Sequence, residues 1–361
     1  MPFNIIRNDI TKVKADAIVN SANPEPVPGG GAEGLIYKAA GYDRLLSARL
    51  KIGNIDRGKA ACTPAFDLKA KYIIHTVGPV WQGGGAGELE ILKECYKNSL
   101  ELAYSLGCGS VAFPLISSGA YGFPKDEALS AALSEIQKFL MDHEMLVTLV
   151  VYSREAVALS EKVIGDIDRF ISDSYAVENH NLSGRRNLRA REESSCYDIC
   201  AEENVFYDPV PVPVRNVARE SVEKKAVHGK QAIPDDTGTL EDYLKRRSGS
   251  FSDTLFKLID ERGLSDVTVY KSANVDRKVF SKIKTKKDYR PKKETAVAFA
   301  IALKLDIDTA SDLLSTAGYA LSFSNNFDLI IRYYLTKKIY DIYEINATLY
   351  AYGYECLGAK I

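Results

Sequence analysis

The sequence lacks several features that would place it in a familiar functional class. Only six of its 361 residues are cysteine, and the one close pair, Cys196 and Cys200, has no histidine near enough to complete a zinc site. No apolar run approaches the roughly 20 residues that span a bilayer, and the start MPFNIIRNDI is not typical of a signal peptide. We therefore expect a cytoplasmic protein without a metal site or a membrane anchor.

An excess of charge of either sign is also missing. The formal net charge is -1, so the whole chain has no general attraction to nucleic acid or to anionic membranes. A balanced total does not exclude local basic or acidic surfaces. With 46% hydrophobic residues, the composition is that of an ordinary globular protein, and the length predicts two domains.

Short apolar runs alternate with longer segments of helical periodicity up to residue 175. The runs AIVN, KYIIHTV, SVAFPLI and LVTLVVY are rich in valine and isoleucine, which is typical of buried strands. Between them, apolar residues recur three and four positions apart. This alternation predicts a layered α/β domain over residues 1–175.

The pattern changes after Tyr175. Residues 176–250 are rich in charge, proline and serine without periodicity, which predicts a partly disordered linker. From residue 251 to 361 helical periodicity returns without strand patterns. We therefore predict a small all-α domain at the end of the chain.

Two glycine-rich segments each follow a predicted strand and precede a predicted helix. The first contains NSANPEPVPGGGAEG, which begins at Asn20, and the second is ISSGAYGFP, which begins at Ile116. Glycine allows a ligand to approach the backbone closely, and free N–H groups at a helix start favour anions. Two such loops at strand carboxyl ends can hold a diphosphate between them.

Five blocks of the sequence together resemble the macro domain family in order and spacing. They are NDIT at 8–11, AIVNSAN at 17–23, GGGAEGLIYKAAG at 29–41, YIIHTVGPVW at 72–81 and PLISSGAYGFP at 114–124. The resemblance covers about residues 1–172. It implies a three-layer α/β/α domain with a mixed sheet, which binds ADP-ribose across the strand carboxyl ends and needs no cofactor.

The resemblance also implies roles for individual residues. Asp9 would accept a hydrogen bond from the adenine amino group, Asn23 would face the distal ribose, and Tyr152 would offer a stacking surface. The catalytic residues would be Asn23 and Glu33. The implied ADP-ribose ligands are Asp9, Ile10, Asn20, Gly29, Gly30, Gly31, Ala32, Ser117, Ser118, Gly119, Ala120, Tyr121, Gly122, Phe123 and Tyr152.

Glu33 departs from the family pattern. Members that hydrolyse ADP-ribosyl esters usually have aspartate here, and glutamate carries the same carboxylate on a chain one methylene longer. A carboxylate can orient and deprotonate a water molecule, and a departing carboxylate needs no strong acid. Glu33 also stands at a predicted helix start, where the helix dipole favours a negative charge, so a structural role stays open. From the residues alone, we expect the Asn20 side chain to hydrogen-bond to the backbone of the loop, and His75 to be a hydrogen-bonded histidine of the core.

Residues 251–316 resemble the lambda-repressor-like helix-turn-helix family. SDVTVYKSA and DRKVFSKIK match its two central helices, with a turn near Asn274 and Asp276 as N-cap. The segment from Asp253 to Lys293 holds 12 Lys or Arg against 6 Asp or Glu. The resemblance implies contacts with duplex DNA by Arg277, Lys278 and Lys282, and a basic surface that binds a protein partner is the alternative.

Three functions follow from these observations. The first, which we expect, is hydrolysis of ADP-ribosyl bonds on protein carboxylates or in O-acetyl-ADP-ribose. The second is non-catalytic recognition of ADP-ribose on a modified target. The third is a sensor of free ADP-ribose that is coupled to a DNA-binding or protein-binding helical domain.

Overall fold

The computed structural model describes residues 2–153, 157, 163–175, 249–286 and 288–358. The part up to residue 175 is α/β and the part from residue 249 is helical, which confirms the predicted fold class. The predicted linker lies outside the described residues except for Gly249 and Ser250, and so does the pair Cys196 and Cys200.

A six-stranded sheet forms the centre of the described α/β part, in the order β1-β6-β5-β2-β4-β3. Every neighbouring pair is parallel except β3 with β4, so the sheet is mixed, as predicted. Two strands, β1 and β3, were not among those predicted from the apolar runs. The strands are β1 Phe3–Arg7, β2 Ala17–Ser21, β3 Ala60–Pro64, β4 Tyr72–Thr76, β5 Ser110–Pro114 and β6 Leu146–Val151.

Helices cover both faces of this sheet. Neighbouring residues of β2 point to opposite faces: Ile18 packs with Ile36 and Tyr37, whereas Val19 belongs to the core on the other face. Two consecutive helices after β2 are divided at Gly41, whose φ of 91° favours glycine. The helices are α1 Gly31–Ala40, α2 Tyr42–Ile52, α3 Glu88–Ser105, α4 Lys125–Asp142 and α5 163–175.

Seven helices and no strand make up the described C-terminal part, which agrees with the helical periodicity of this region. Serine, aspartate or asparagine caps most of their starts, and Asp276 accepts a hydrogen bond from the backbone N–H of Lys278, as predicted. The helices are α6 Phe251–Glu261, α7 Asp266–Ser272, α8 Arg277–Thr285, α9 Lys293–Ala302, α10 Ile307–Thr316, α11 Asn326–Lys337 and α12 Ile342–Ala351. Among the described helices, none is long and apolar enough to cross a membrane.

The helical part packs against the outer edge of β1. The side chain of Asn274 accepts a hydrogen bond from the backbone N–H of Phe3 at 2.6 Å and donates to the carbonyl of Phe3 at 2.9 Å. It also donates to the carbonyl of Leu357 at 3.0 Å. Asn274 therefore pairs with the strand edge as a neighbouring strand would. The two described parts form one compact unit with a continuous core, and the predicted boundary between domains stays a prediction.

Candidate functional site

Three loops leave the same edge of the sheet, because β2, β4 and β5 are parallel neighbours. The first loop, residues 22–30, connects β2 to α1. The second loop, residues 115–124, connects β5 to α4, and the third loop, residues 77–87, connects β4 to α3. Helices begin directly after each loop, so their unpaired N–H groups face the same edge.

Direct contacts hold these loops together. The hydroxyl of Tyr121 in the second loop donates to Asn23 Oδ1 in the first loop at 2.9 Å. The Asn23 amide donates in turn to the carbonyl of Val27 at 2.8 Å. The third loop joins through the backbone N–H of Trp81, which donates to the carbonyl of Tyr121 at 2.9 Å, and the Trp81 and Phe123 rings lie 4.7 Å apart. Asn23 and Tyr121 therefore form part of one connected surface.

Glu33 lies in the first turn of α1 and is only 6% exposed. Its Oε2 accepts from the backbone N–H of Gly29 at 2.8 Å, and its Oε1 accepts from the side-chain amide of Asn20 at 3.2 Å. The backbone N–H of Asn23 also hydrogen-bonds this carboxyl group. The carboxyl group is therefore fixed against the backbone of the first loop, next to Asn23.

A buried chain of polar groups continues below Glu33. Asn20 is fully buried, and its amide nitrogen also lies 3.2 Å from His75 Nδ1. The other ring nitrogen of His75 lies 3.0 Å from the hydroxyl of Thr63. Since the Asn20 amide nitrogen is a donor, His75 accepts at Nδ1 and donates from Nε2 to Thr63. His75 is thus a hydrogen-bonded core histidine, and Asn20 links it to Glu33.

Burial sets the charge states around Glu33. It raises the pKa of the Glu33 carboxyl above its usual range, against the opposing effect of the hydrogen bonds from Gly29 and Asn20. Burial lowers the pKa of His75 to about 3, so this ring is neutral near pH 7. Burial also raises the pKa of Tyr37 to about 12. A base with a raised pKa accepts protons more readily at neutral pH.

The predicted adenine contacts lie at the carboxyl ends of β1 and β6. Asp9 caps a 3₁₀ helix at Ile10–Lys12, where its Oδ1 accepts from the backbone N–H and the hydroxyl of Thr11. The hydrogen bond from the Thr11 hydroxyl is the main reason that the pKa of Asp9 is lowered. Ile10 is buried, whereas Tyr152, directly after β6, is 82% exposed. Because β1 and β6 are adjacent, Asp9 and Tyr152 follow neighbouring strands.

The remaining residues that are predicted to bind ADP-ribose differ in their exposure to solvent. Ser117 is buried, has a φ of 61°, and its hydroxyl is without a hydrogen-bond partner in the part of the chain that the structure describes. Such backbone strain is common at binding sites. A Cβ atom at Gly29 would lie 2.9 Å from Glu33 Oε2, so a side chain at this position would displace the Glu33 carboxyl group. Phe123 is buried, Ala32, Ser118 and Tyr121 are half-buried, and Gly30, Gly31, Gly119, Ala120 and Gly122 are exposed.

One residue next to the site, Arg49 of α2, is missing from the sequence-based prediction. Its side chain is 1% exposed and donates to the carbonyls of Asn23 and Pro24 at 3.2 and 3.1 Å. A signal was present, because Arg49 follows the buried Leu45 by four positions and therefore lies on the apolar stripe of its helix. An arginine at a core position of an amphipathic helix indicates a specific buried partner.

The residues predicted to contact nucleic acid lie on α8. Arg277, Lys278 and Lys282 are all exposed. The turn that precedes α8 contains Asn274 in the left-handed conformation, with a φ of 54°.

Within the described ranges, no group of three or more His, Cys, Asp or Glu side chains is arranged to hold a metal ion.

The known proteins that are similar to this chain match its α/β part. The family model described as the macro domain matches residues 19–132. A macro domain-containing protein of Methanosarcina mazei is 45% identical over 167 residues, which are 46% of this chain and 89% of that protein. An O-acetyl-ADP-ribose deacetylase of Escherichia coli K12 is 41% identical over 167 residues, which are 45% of this chain and 94% of that protein.

A solved structure, the Oceanobacillus iheyensis macrodomain with ADP, is 38% identical and covers 42% of this chain and 84% of that chain, with a TM-score of 0.40. The family assignment depends on the sequence relatives, because this chain spans nearly the whole length of each at more than 40% identity. Through its N-terminal α/β part, the chain belongs to the macro domain family.

Proposed function

We propose that the three loops bind ADP-ribose and that Glu33 and Asn23 hydrolyse the bond between ADP-ribose and a carboxylate. The observation that carries this proposal is the buried Glu33 carboxyl group, fixed by Gly29 and Asn20 beside two glycine-rich loops. The matching E. coli protein, named O-acetyl-ADP-ribose deacetylase, supports an ester of ADP-ribose as the substrate class.

The exposed glycines of the first and second loops suit a diphosphate. Their backbone N–H groups precede the starts of α1 and α4, where the helix dipoles favour negative charge. Asp9 would accept from the adenine amino group, and the exposed Tyr152 ring would stack on the base. The ribose next to the scissile bond then lies towards Asn23 and Glu33.

The ionised Glu33 takes one proton from a water molecule as the water oxygen attacks a carbon of the ester linkage and the ester C–O bond breaks. The products are ADP-ribose and the carboxylate anion, and the proton is released to solvent. Asn23 positions the substrate, because Tyr121 and Val27 hold its side chain in one orientation. General-base catalysis of this kind contributes about 10²- to 10⁴-fold to the rate.

Release of ADP-ribose tests this function. The full chain is incubated separately with O-acetyl-ADP-ribose and with a protein that is ADP-ribosylated on glutamate, and free ADP-ribose and acetate are measured over time. Turnover of either substrate supports hydrolysis. Tight binding without turnover would favour the alternative function of an ADP-ribose reader or sensor, and absence of binding would contradict the assignment of the site.

A second function, binding of duplex DNA, is favoured by the geometry of α7 and α8. The two helices flank the tight turn at Asn274, and α8 presents Arg277, Lys278 and Lys282 to solvent. This arrangement resembles a helix-turn-helix whose second helix contacts DNA. Lys284 contributes less free charge, because it forms an ion pair with Asp266 at 2.5 Å.

A mobility-shift titration at low salt tests this second function. We expect weak binding of mixed duplexes, with an affinity that falls steeply as salt increases. Changing Arg277, Lys278 and Lys282 to Glu should abolish the shift. The matched control changes the exposed Lys51, Lys69 and Lys97 to Glu, which alters the total charge equally. No complex with the wild-type chain would instead favour a protein partner.

A further inference from the structure

Arg49 carries a charge that is buried among neutral partners. Its guanidinium donates from Nη2 to the carbonyls of Asn23 and Pro24, and from Nη1 to the carbonyl of Gly53. Among the described residues, no carboxylate oxygen lies within 4.0 Å of it. Burying a charge without a direct counter-ion is costly unless hydrogen bonds and a nearby opposite charge compensate.

Glu33 is the nearby opposite charge. Arg49 and Glu33 interact electrostatically, and each favours the ionised form of the other. The two side chains also hold the same stretch of backbone from two sides. Arg49 binds the carbonyl of Asn23, whereas the Glu33 carboxyl group accepts from the N–H groups of Asn23 and Gly29.

The other titratable groups that face Glu33 do not supply positive charge. Tyr37 in α1 is neutral, because burial raises its pKa to about 12. His75 in β4 is neutral, because burial lowers its pKa to about 3. Tyr121 in the second loop also has a raised pKa, owing to burial. Among the described groups around Glu33, Arg49 in α2 is therefore the one with a positive charge at neutral pH.

We propose that Arg49 is a positioning residue for the hydrolysis: it fixes the Asn23–Pro24 backbone and supplies the buried positive charge that faces the Glu33 carboxyl group. This inference rests on the proposed function of Glu33 and Asn23. It assigns two separable contributions to one side chain. The hydrogen bonds orient Asn23 towards the substrate, and the charge keeps Glu33 in the form that accepts a proton.

Two substitutions separate these contributions. Arg49→Gln removes the charge and retains a hydrogen-bond donor, whereas Arg49→Lys retains the charge and loses the planar group that spans three carbonyls. The control is Arg44→Gln on the same helix, because Arg44 is exposed and pairs with Asp67. For each full-length variant, kcat and KM are measured against pH with O-acetyl-ADP-ribose. The Glu33 carboxyl carbon is titrated by NMR in protein labelled with ¹³C-glutamate.

Arg49→Gln should lower kcat at pH 7 by up to about 100-fold, as a small displacement of catalytic groups can, and should move the acid limb of the profile to higher pH. The Glu33 NMR titration should move in the same direction. Arg49→Lys should keep the acid limb and the titration near those of the wild type while kcat still falls. Arg44→Gln should leave all three readouts unchanged.

Some results would overturn the proposal. If Arg49→Gln lowers the melting temperature but leaves the acid limb and the Glu33 titration unchanged, Arg49 is only structural. If Arg49→Gln does not fold, an Arg49→Lys variant with wild-type kcat contradicts the positioning role. If the wild type shows no turnover at all, the proposed hydrolysis fails, and the NMR titration still tests whether Arg49 acts on Glu33.

Discussion

Each of the two described parts of the molecule contains a buried carboxylate, and the two carboxylates have different hydrogen-bond and ion-pair partners. Asp328 in the helical part is 1% exposed, and Lys293 lies 2.6–2.7 Å from both of its oxygens. Glu33 in the α/β part is 6% exposed, yet among the described residues no cation lies within 4.0 Å of it. Backbone N–H groups and the Asn20 amide hold it instead.

This difference indicates what each carboxylate does. Asp328 is paired directly with Lys293, so the two side chains join the start of α9 to α11. A carboxylate that is buried, oriented and only distantly compensated has a raised pKa, and such groups cluster at functional sites. The contrast between Asp328 and Glu33 therefore fits a structural role for Asp328 and the proposed catalytic role for Glu33.

The largest expected effect is on Glu33 itself. Glu33→Gln should lower turnover by about 10²- to 10⁴-fold, roughly 3–5 kcal/mol of barrier, because the amide cannot take a proton from water. The affinity for ADP-ribose should stay nearly constant, since the amide preserves size. Glu33→Asp should retain activity, because it keeps the carboxylate and shortens its reach by one methylene. Equal loss in Glu33→Gln and Glu33→Asp would point to a geometric role alone.

Breaking the ion pair of Lys293 and Asp328 should affect the stability of the fold rather than catalysis. Lys293→Met leaves Asp328 buried without its cation, and we expect the free energy of unfolding to fall by roughly 3 kcal/mol. The hydrolysis rate per folded molecule should not change. Lys257→Met is the matched control, because its pair with Glu261 is exposed and 3.9 Å long, so its loss should cost less than about 1 kcal/mol. Equal destabilisation by both variants would contradict the distinction.

The next effect is on ligand affinity. Asp9→Ala should weaken ADP-ribose binding by roughly 1.5–3 kcal/mol, the usual size for a lost hydrogen bond to a charged group. Asp9→Asn is a useful control, since it keeps a cap for the Thr11 backbone N–H but disturbs the adenine contact.

Gly119→Glu should weaken ADP-ribose binding as well, by adding bulk and negative charge to the second loop. Nothing lies within 4 Å of a Cβ atom at this position, so the fold should be preserved. Calorimetry that shows unchanged affinity in both Asp9→Ala and Gly119→Glu would mean that the site is assigned wrongly.

The smallest expected effect is that of the exposed basic residues on stability. Changing Arg277, Lys278 and Lys282 to Glu should alter the free energy of unfolding by no more than about 0.5 kcal/mol per site, because surface positions rarely contribute more. The rate of O-acetyl-ADP-ribose hydrolysis should also be unchanged. Thermal unfolding measures this effect. A large loss of stability would show that these side chains contribute to packing within the chain and are not available to a partner.

Much of the architecture could be predicted from local patterns. The strands β2, β4, β5 and β6 are continuous apolar runs, and the helices of the C-terminal part show clear periodicity and capping residues. The strands β1 and β3 could not be predicted in this way: FNIIR is short and interrupted by asparagine, and AACTP contains small residues and a proline. Their pairing depends on the sheet around them.

The loops of the candidate site could be predicted from the sequence, but the hydrogen-bond network that connects them could not. The spacing of glycines and the family resemblance indicated Gly29, Glu33 and Ser117. The hydrogen bonds from Asn20 to Glu33 and His75, and from Arg49 to Asn23, depend on tertiary packing between separate elements. In the same way, the pairing of Asn274 with Phe3 joins residues 271 positions apart, which no local pattern encodes.

The most direct test of the account is the rate of O-acetyl-ADP-ribose hydrolysis against pH, in the wild type and in Glu33→Gln. Glu33 must be ionised to act, and burial raises its pKa, so the wild-type rate should fall on the acid side at a pH above the usual glutamate range. His75 and Asp9 titrate lower and cannot produce this limb. Glu33→Gln should be slow at every pH and lack the limb, and a Glu33→Gln profile that matches the wild type would contradict the central role of Glu33.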